Sequence, residues 1–174
     1  MKTLTLAITL AAGVSAMAAA SDDLNDLEIA HAAYTAGQID IRYAHLALAL
    51  SEEEAVRAFA QTMIRDHSAV NEAAAGLIAE LDVVPQDNTL SQSLVEGAAK
   101  TRSKLASLSG AEFDCAYAEN ELGYHQVVNK TVAQVFLPTV TVEPLHDLLA
   151  DALETFKVHE AHAETMVSGL SCSS

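Results

Sequence analysis

The chain has 174 residues, a length typical of one domain with a single core. Its 24 Asp and Glu residues against nine Lys and Arg give a formal net charge of −15, and such a surface repels phosphate backbones. Nucleic acid is therefore excluded as a favoured partner. Tryptophan is absent while Ala, Leu and Val are abundant, a composition typical of closely packed helices.

The first twenty residues have the pattern of a secretory signal peptide. A positive start at Lys2 precedes an apolar stretch from Leu4 to Val14, and small residues follow up to Ala20. The apolar stretch is short for a membrane span. We expect residues 1–20 to be cleaved on export and residues 21–174 to form the domain. The mature protein is then periplasmic, with no stable membrane span.

Helix signals dominate the rest of the chain. Asn25 with Glu28 predicts a capping box at the start of the first helix, and Ser51 is the expected cap of the second. The predicted helices cover about residues 26–50, 52–81, 90–108, 110–136 and 143–170. No stretch predicts a convincing strand.

The lengths of these helices and connections predict their arrangement. Four long helices form two hairpins, and the connection between the hairpins contains a helix of about 19 residues. At the helical rise this connecting helix is ~28 Å long, enough to travel the length of a bundle. We therefore predict an all-α, ferritin-like four-helix bundle with an additional crossover helix.

Histidines interrupt the apolar faces of all four long helices. Steps of three and four predict an inner face on each helix, and on the first helix this face runs through His31 and His45. A buried imidazole without a partner costs a few kcal/mol, so several together indicate a shared ligand such as a metal ion. The candidate metal ligands are His31, His67, Glu121, His125, His159 and His162, with Asp66 and Tyr34 as supporting or alternative groups.

The positions of these residues along the bundle axis, counted from the turn of each hairpin, predict two groups of candidate ligands. Glu121, His125, His159 and His162 lie near one level of the second hairpin, and His31 and His67 lie on the first hairpin. Sequence alone does not fix whether the two groups meet. The Glu-x-x-His pairs of di-iron bundles are missing, and an imidazole-rich set favours copper or zinc, with iron as a third candidate.

Cys115 and Cys172 are the two cysteines of the chain. In an oxidising compartment we expect them to form a disulfide. It would close a loop of about 57 residues, which the loop-entropy model values at ~4 kcal/mol.

Several segments resemble a known family. They are VRAFAQTMIRDHSAVN at residues 56–71, FDCAYAENELGYH at residues 113–125, AHAAYTAGQIDI at residues 30–41 and the final H..HAE from His159. Together they resemble the exported bacterial family DUF4142, grouped with ferritin-like proteins and sometimes labelled outer membrane proteins. The resemblance implies a ferritin-like bundle and export, and it implies no established activity.

Three functions remain open at this point. The favoured hypothesis is a periplasmic metal-binding bundle that sequesters or handles copper, zinc or iron. The second is a metal-dependent oxidase or peroxide-consuming enzyme, with an open metal position near Tyr34, Tyr117 or Tyr124. The third is a metal-free stress or interaction module whose histidine core responds to pH. Whether the chain forms a homodimer also stays open.

Overall fold

The computed structural model describes residues 24–170 and residue 172, and the regular structure within this range is helical. The long helices are α1 (Asp26–Leu50), α2 (Glu54–Glu80), α3 (Thr89–Leu105), α4 (Gly110–Thr131) and α5 (Glu143–Gly169). The predicted all-α class is confirmed for these residues. The predicted signal peptide, residues 1–20, lies outside them. Among the described helices, none combines the length and apolar character that crossing a bilayer requires.

The ends of α1 show which cap predictions hold. The Asn25 side chain accepts the backbone N–H groups of Leu27 and Glu28, and Glu28 accepts that of Asn25, so the predicted capping box is confirmed. The predicted cap by Ser51 is wrong, because this residue ends α1 rather than beginning α2. Its hydroxyl instead donates to the buried carboxylate of Asp114. This bond ties the α1–α2 turn to the start of α4.

The predicted continuous helix up to residue 136 is wrong in its last part. The hydrogen-bond pattern changes to π-helical over Val132–Phe136, and one α-helical turn, Leu137–Thr139, follows. Pro138 has no backbone N–H, so a regular α-helical pattern could not continue through it. The wider π turn, in which the Leu137 N–H bonds to the Val132 carbonyl, accommodates this irregularity.

The helices pack as two pairs. The chain turns back between α1 and α2 within three residues, and these two helices lie together along their length. Helix α4 packs on α5, and the pairs join through α2 with α5 and α1 with α4, while α3 lies mainly against α1. A disulfide between Cys115 and Cys172, with Cα atoms 5.5 Å apart, fixes the tail after α5 to the start of α4.

Two clusters of buried apolar side chains occupy different levels of the helical core. One contains Tyr43, Phe59, Met63, Phe113, Tyr117 and Met166, and the other contains Ile29, Leu90, Val128, Leu149 and Phe156. On α1, α2, α4 and α5 the change from one cluster to the other falls at or beside buried ionisable residues. These residues are Asp40, His67, Glu121, His125 and His159. Ionisable side chains of four helices therefore lie together in the middle of the core.

Candidate metal centre

Three histidines from three helices meet between the apolar clusters. His67 of α2, His125 of α4 and His159 of α5 are each at most 2% exposed. Their ring centroids are 5.7 Å apart for His67 and His125, and 5.4 Å apart for each of the other two pairs. Each ring offers a nitrogen such that all three nitrogens lie within 4.8 Å of one another. Small side-chain movements would let them share one ion.

Hydrogen bonds fix which nitrogen two of these rings present. The Nδ1 of His125 lies 2.9 Å from the backbone carbonyl of Glu121, and a carbonyl only accepts, so Nδ1 carries the proton and Nε2 is free. The Nε2 of His159 lies 3.0 Å from a carboxylate oxygen of Asp66, so Nε2 donates and Nδ1 is free. Metal-binding histidines are commonly oriented by such a bond to the opposite ring nitrogen.

Two buried carboxyl groups adjoin the histidines. Asp40 of α1 is fully buried, and its Oδ2 lies 3.4 Å from Nε2 of His67 and 3.5 Å from Nε2 of His125. Glu121 of α4 is also fully buried, one helical turn before His125. Asp40, Glu121 and His125 again offer atoms within 4.8 Å of one another. His125 thus belongs to a group of three histidines and to a group containing both carboxyls.

Many donor and acceptor atoms of this cluster lack partners. Eight of its buried atoms have no hydrogen-bond partner within residues 24–170 and 172. They are Oδ1 and Oδ2 of Asp40, Nδ1 and Nε2 of His67, the Tyr117 hydroxyl, Oε2 of Glu121, Nε2 of His125 and Nδ1 of His159. Leaving a buried polar group unsatisfied costs about 1–3 kcal/mol. Since the unpartnered nitrogens and oxygens lie together, one bound cation would satisfy several of them at once.

Burial also sets the protonation of the cluster. It raises the pKa of Asp40 to about 8, and burial with Asp40 nearby raises the pKa of Glu121 well above its ordinary value. Burial lowers the pKa of His125 to about 4, and it lowers the pKa values of His67 and His159 as well. Near neutral pH the three imidazoles are therefore uncharged, which is the form that binds metals.

Asp66 supports the cluster from its edge. Arg65 donates from Nε at 2.7 Å and from Nη2 at 3.0 Å to the two oxygens of Asp66. These hydrogen bonds are the main reason why the pKa of Asp66 is lowered. An ionised Asp66 accepts a hydrogen bond from the Nε2–H of His159, so the exposed Arg65 indirectly orients a buried ring.

The structure brings together some predicted ligands and separates others. His67, Glu121, His125 and His159 meet in the core, and Asp66 contacts His159. His31 is half-buried elsewhere, with Nδ1 3.8 Å from Asp87. His162 is exposed, with its ring edge-on to Phe59. Tyr34 accepts a hydrogen bond from Gln38 at 3.4 Å. The two groups expected from residue heights therefore meet through His67 alone.

Asp40 is the member of the cluster that sequence reasoning missed. The inner face predicted for the first helix ran through His31 and His45, but His45 is exposed and the buried face contains Ile29, Asp40 and Tyr43. The alanines of this helix lie on several of its faces, so the spacing of apolar residues alone fits more than one inner face. The signal that could have found Asp40 is its place in the stripe 29, 32, 36, 40, 43 and 47, where the other members are apolar.

The sequence matches one family model. The model, described as a domain of unknown function (DUF4142), matches residues 11–166, and the predicted resemblance is thereby confirmed. No curated protein and no solved structure matches the chain.

Proposed function

The chain belongs to the DUF4142 family, and since that family's description assigns no activity, we propose a function from the buried cluster. The protein is an exported, ferritin-like metal-binding bundle that sequesters or hands on a transition metal ion. Its ligands are drawn from Asp40, His67, Glu121, His125 and His159.

The observation that carries this proposal is the set of unpartnered nitrogen and oxygen atoms from four helices. If the core histidines were only hydrogen-bonded to one another, buried oxygens of Asp40 and Glu121 would have no hydrogen-bond partner. A divalent cation compensates both carboxyls and uses the free nitrogens of His125 and His159. Five candidate donors can fill most of a coordination sphere, which favours holding an ion over exposing it to substrates.

The donor types narrow the choice of metal. Three imidazoles with two carboxyls and no thiolate suit zinc, divalent copper or iron. The carboxyls found in the core make iron a stronger candidate than the histidines alone do, because oxygen donors suit harder cations. Cuprous copper is disfavoured, since it prefers thiolate or thioether ligands.

The bundle and the compartment are parts of the same proposal. Two helix pairs joined through α3 agree with a ferritin-like bundle whose crossover helix is α3. The disulfide between Cys115 and Cys172 agrees with an oxidising compartment, as the signal pattern of residues 1–20 does. Both features support the proposal that the mature protein is periplasmic.

A matched pair of histidines on α5 tests the metal site. The protein, purified without a histidine tag, is analysed for bound metal and melted with and without zinc, copper and iron. We expect stoichiometric metal and a higher melting temperature, with both lost in His159→Ala and both kept in His162→Ala. The proposal fails if the protein takes up no metal, or if the two variants behave alike.

A second candidate function is a metal-dependent oxidase. A cavity reaches His67 and His125 from one side, so a small molecule could approach the centre. Oxygen or peroxide consumption by the iron- or copper-loaded protein, abolished in His159→Ala, would favour this function over sequestration.

A further inference from the structure

A cavity of about 110 Å³ lies beside the histidines on the side of the second apolar cluster. Its walls are almost wholly apolar and include Ala33, Val70, Ala74, Val128 and Leu149. His67 and His125 line its inner end, where their rings face the candidate metal centre. Cavities with largely apolar walls take up small apolar molecules.

The lining also includes polar side chains, among them Tyr34, Tyr124 and Thr131. Besides the two histidines, Asn71 is the lining residue that has a buried polar atom without a partner in the described residues. Asn71, on α2 one turn beyond His67, lines the cavity and is only 5% exposed. Its Nδ2 group has no hydrogen-bond partner in residues 24–170 and 172. An amide held in apolar surroundings without a partner is costly, so a ligand acceptor atom at this position would be stabilising.

The opposite helix leaves room for that amide. A Cβ at Gly37 of α1 would lie 2.6 Å from Oδ1 and 2.9 Å from Nδ2 of Asn71. Only glycine therefore lets the Asn71 amide keep this position against α1. The Asn71 side chain therefore lies directly against the backbone of α1 at Gly37.

We infer that this cavity binds a small uncharged organic molecule with one hydrogen-bond acceptor, of the kind represented by a short-chain ketone. The acceptor takes the Asn71 N–H, and the apolar body fills the space between α1, α2, α4 and α5. A cavity of 150 Å³ holds benzene, so this smaller one suits a ligand of about five heavy atoms. A charged ligand is disfavoured, because it would lose its hydration against apolar walls.

The far end of the cavity does not change this ligand class. Asp26 lies there, but its carboxylate accepts hydrogen bonds from the backbone N–H and the hydroxyl of Thr141. Asp26 is therefore already engaged at the surface. The inference goes beyond the proposed function, since the cavity and its amide exist without a bound metal.

The test uses 2-butanone and xenon as probes, followed by NMR on the metal-free and the metal-treated protein. We expect both probes to bind in both preparations, and butylammonium, which is charged and lacks an acceptor, not to bind. Asn71→Leu should weaken 2-butanone binding about fivefold, the value of one neutral hydrogen bond, and leave xenon binding in place. Gly37→Ala, which displaces the amide but keeps it, should weaken 2-butanone in the same way.

A pair of neighbouring alanines provides the control for space. Ala74→Leu fills the cavity and should abolish binding of both probes, whereas Ala73→Leu changes an exposed position outside it and should alter neither. The inference is overturned if xenon and 2-butanone do not bind, if Ala74→Leu has no effect, or if Asn71→Leu and Gly37→Ala both bind 2-butanone as the parent does. Probe binding by a protein that takes up no metal would overturn the proposed function alone.

Discussion

Asp40→Asn should stabilise the metal-free protein at neutral pH. Asp40 is fully buried, and burial raises its pKa from 3.8 to about 8. The folded protein therefore keeps a proton at pH 7 that the unfolded chain has lost. Because the folded state binds more protons, rising pH favours unfolding between the two pKa values. Asparagine is uncharged in both states and removes this contribution.

The size of the effect follows from the pKa difference. From 3.8 to pH 7 is about three pH units, and each unit corresponds to 1.36 kcal/mol. The free energy of unfolding of Asp40→Asn should therefore exceed that of the parent by up to about 4 kcal/mol at pH 7. Near pH 4 the difference should almost vanish, since Asp40 is then largely protonated in the folded state and about half protonated in the unfolded state. This is a large fraction of the 5–15 kcal/mol typical of a domain.

Urea unfolding of chelator-treated protein at pH 4 and pH 7 measures this difference. Asp151→Asn changes an exposed carboxylate on α5 and should move the free energy of unfolding by less than about 0.5 kcal/mol at either pH. Adding zinc should reverse the order, because the parent gains a ligand that Asp40→Asn lacks. A metal-free Asp40→Asn protein that is less stable than the parent at pH 7 would refute the reasoning, since it would show that Asp40 has a favourable partner in the folded protein.

Three other predictions concern the surroundings of the centre. Asp66→Asn, which removes the charge that orients His159, should weaken metal affinity 10- to 100-fold in a competition titration with a chromophoric chelator. Metal binding should release more protons at pH 7 than at pH 9, because Asp40, with a pKa of about 8, is mostly protonated only at pH 7. Calorimetry in buffers of different ionisation enthalpy measures the number of protons released. Replacing both Cys115 and Cys172 by serine should lower the free energy of unfolding by up to ~4 kcal/mol in urea unfolding, and a reductant should destabilise the parent but not this variant.

Helix positions and much of the core were predictable because their signals are local. The capping box at Asn25 lies in a short segment, and the apolar stripe of α5 repeats regularly from Leu145 to Met166. The actual role of Ser51 was not predictable, because its hydrogen-bond partner, Asp114, is 63 residues away in the chain. Local patterns identify an element, but they do not reveal a contact made by its end.

The candidate site was predictable only in part, because it depends on the rotation of each helix. On α4 a single apolar face passes through Glu121 and His125, and both are buried as the pattern indicates. On α5, His159 and His162 are three residues apart and lie on adjoining faces of the helix. Only packing against the neighbouring helices determines that His159 is buried and His162 is exposed. In the alanine-rich α1 no single apolar face is evident from the sequence. The orientation of α1 that buries Asp40 is therefore set by packing against the neighbouring helices.

The burial of the ligand cluster has a consequence for the time over which an ion would stay bound. His67, His125 and His159 are nearly inaccessible, and solvent cannot replace them one at a time as it can at a surface site. The cavity that reaches His67 and His125 has largely apolar walls, which a hydrated ion does not readily cross, so exchange waits for α5 to separate from its neighbours. The disulfide at one end and the short connection from α4 at the other make that separation rare. The residence time of the ion would follow the opening rate of the helical core, so an affinity of ordinary size would still give slow release.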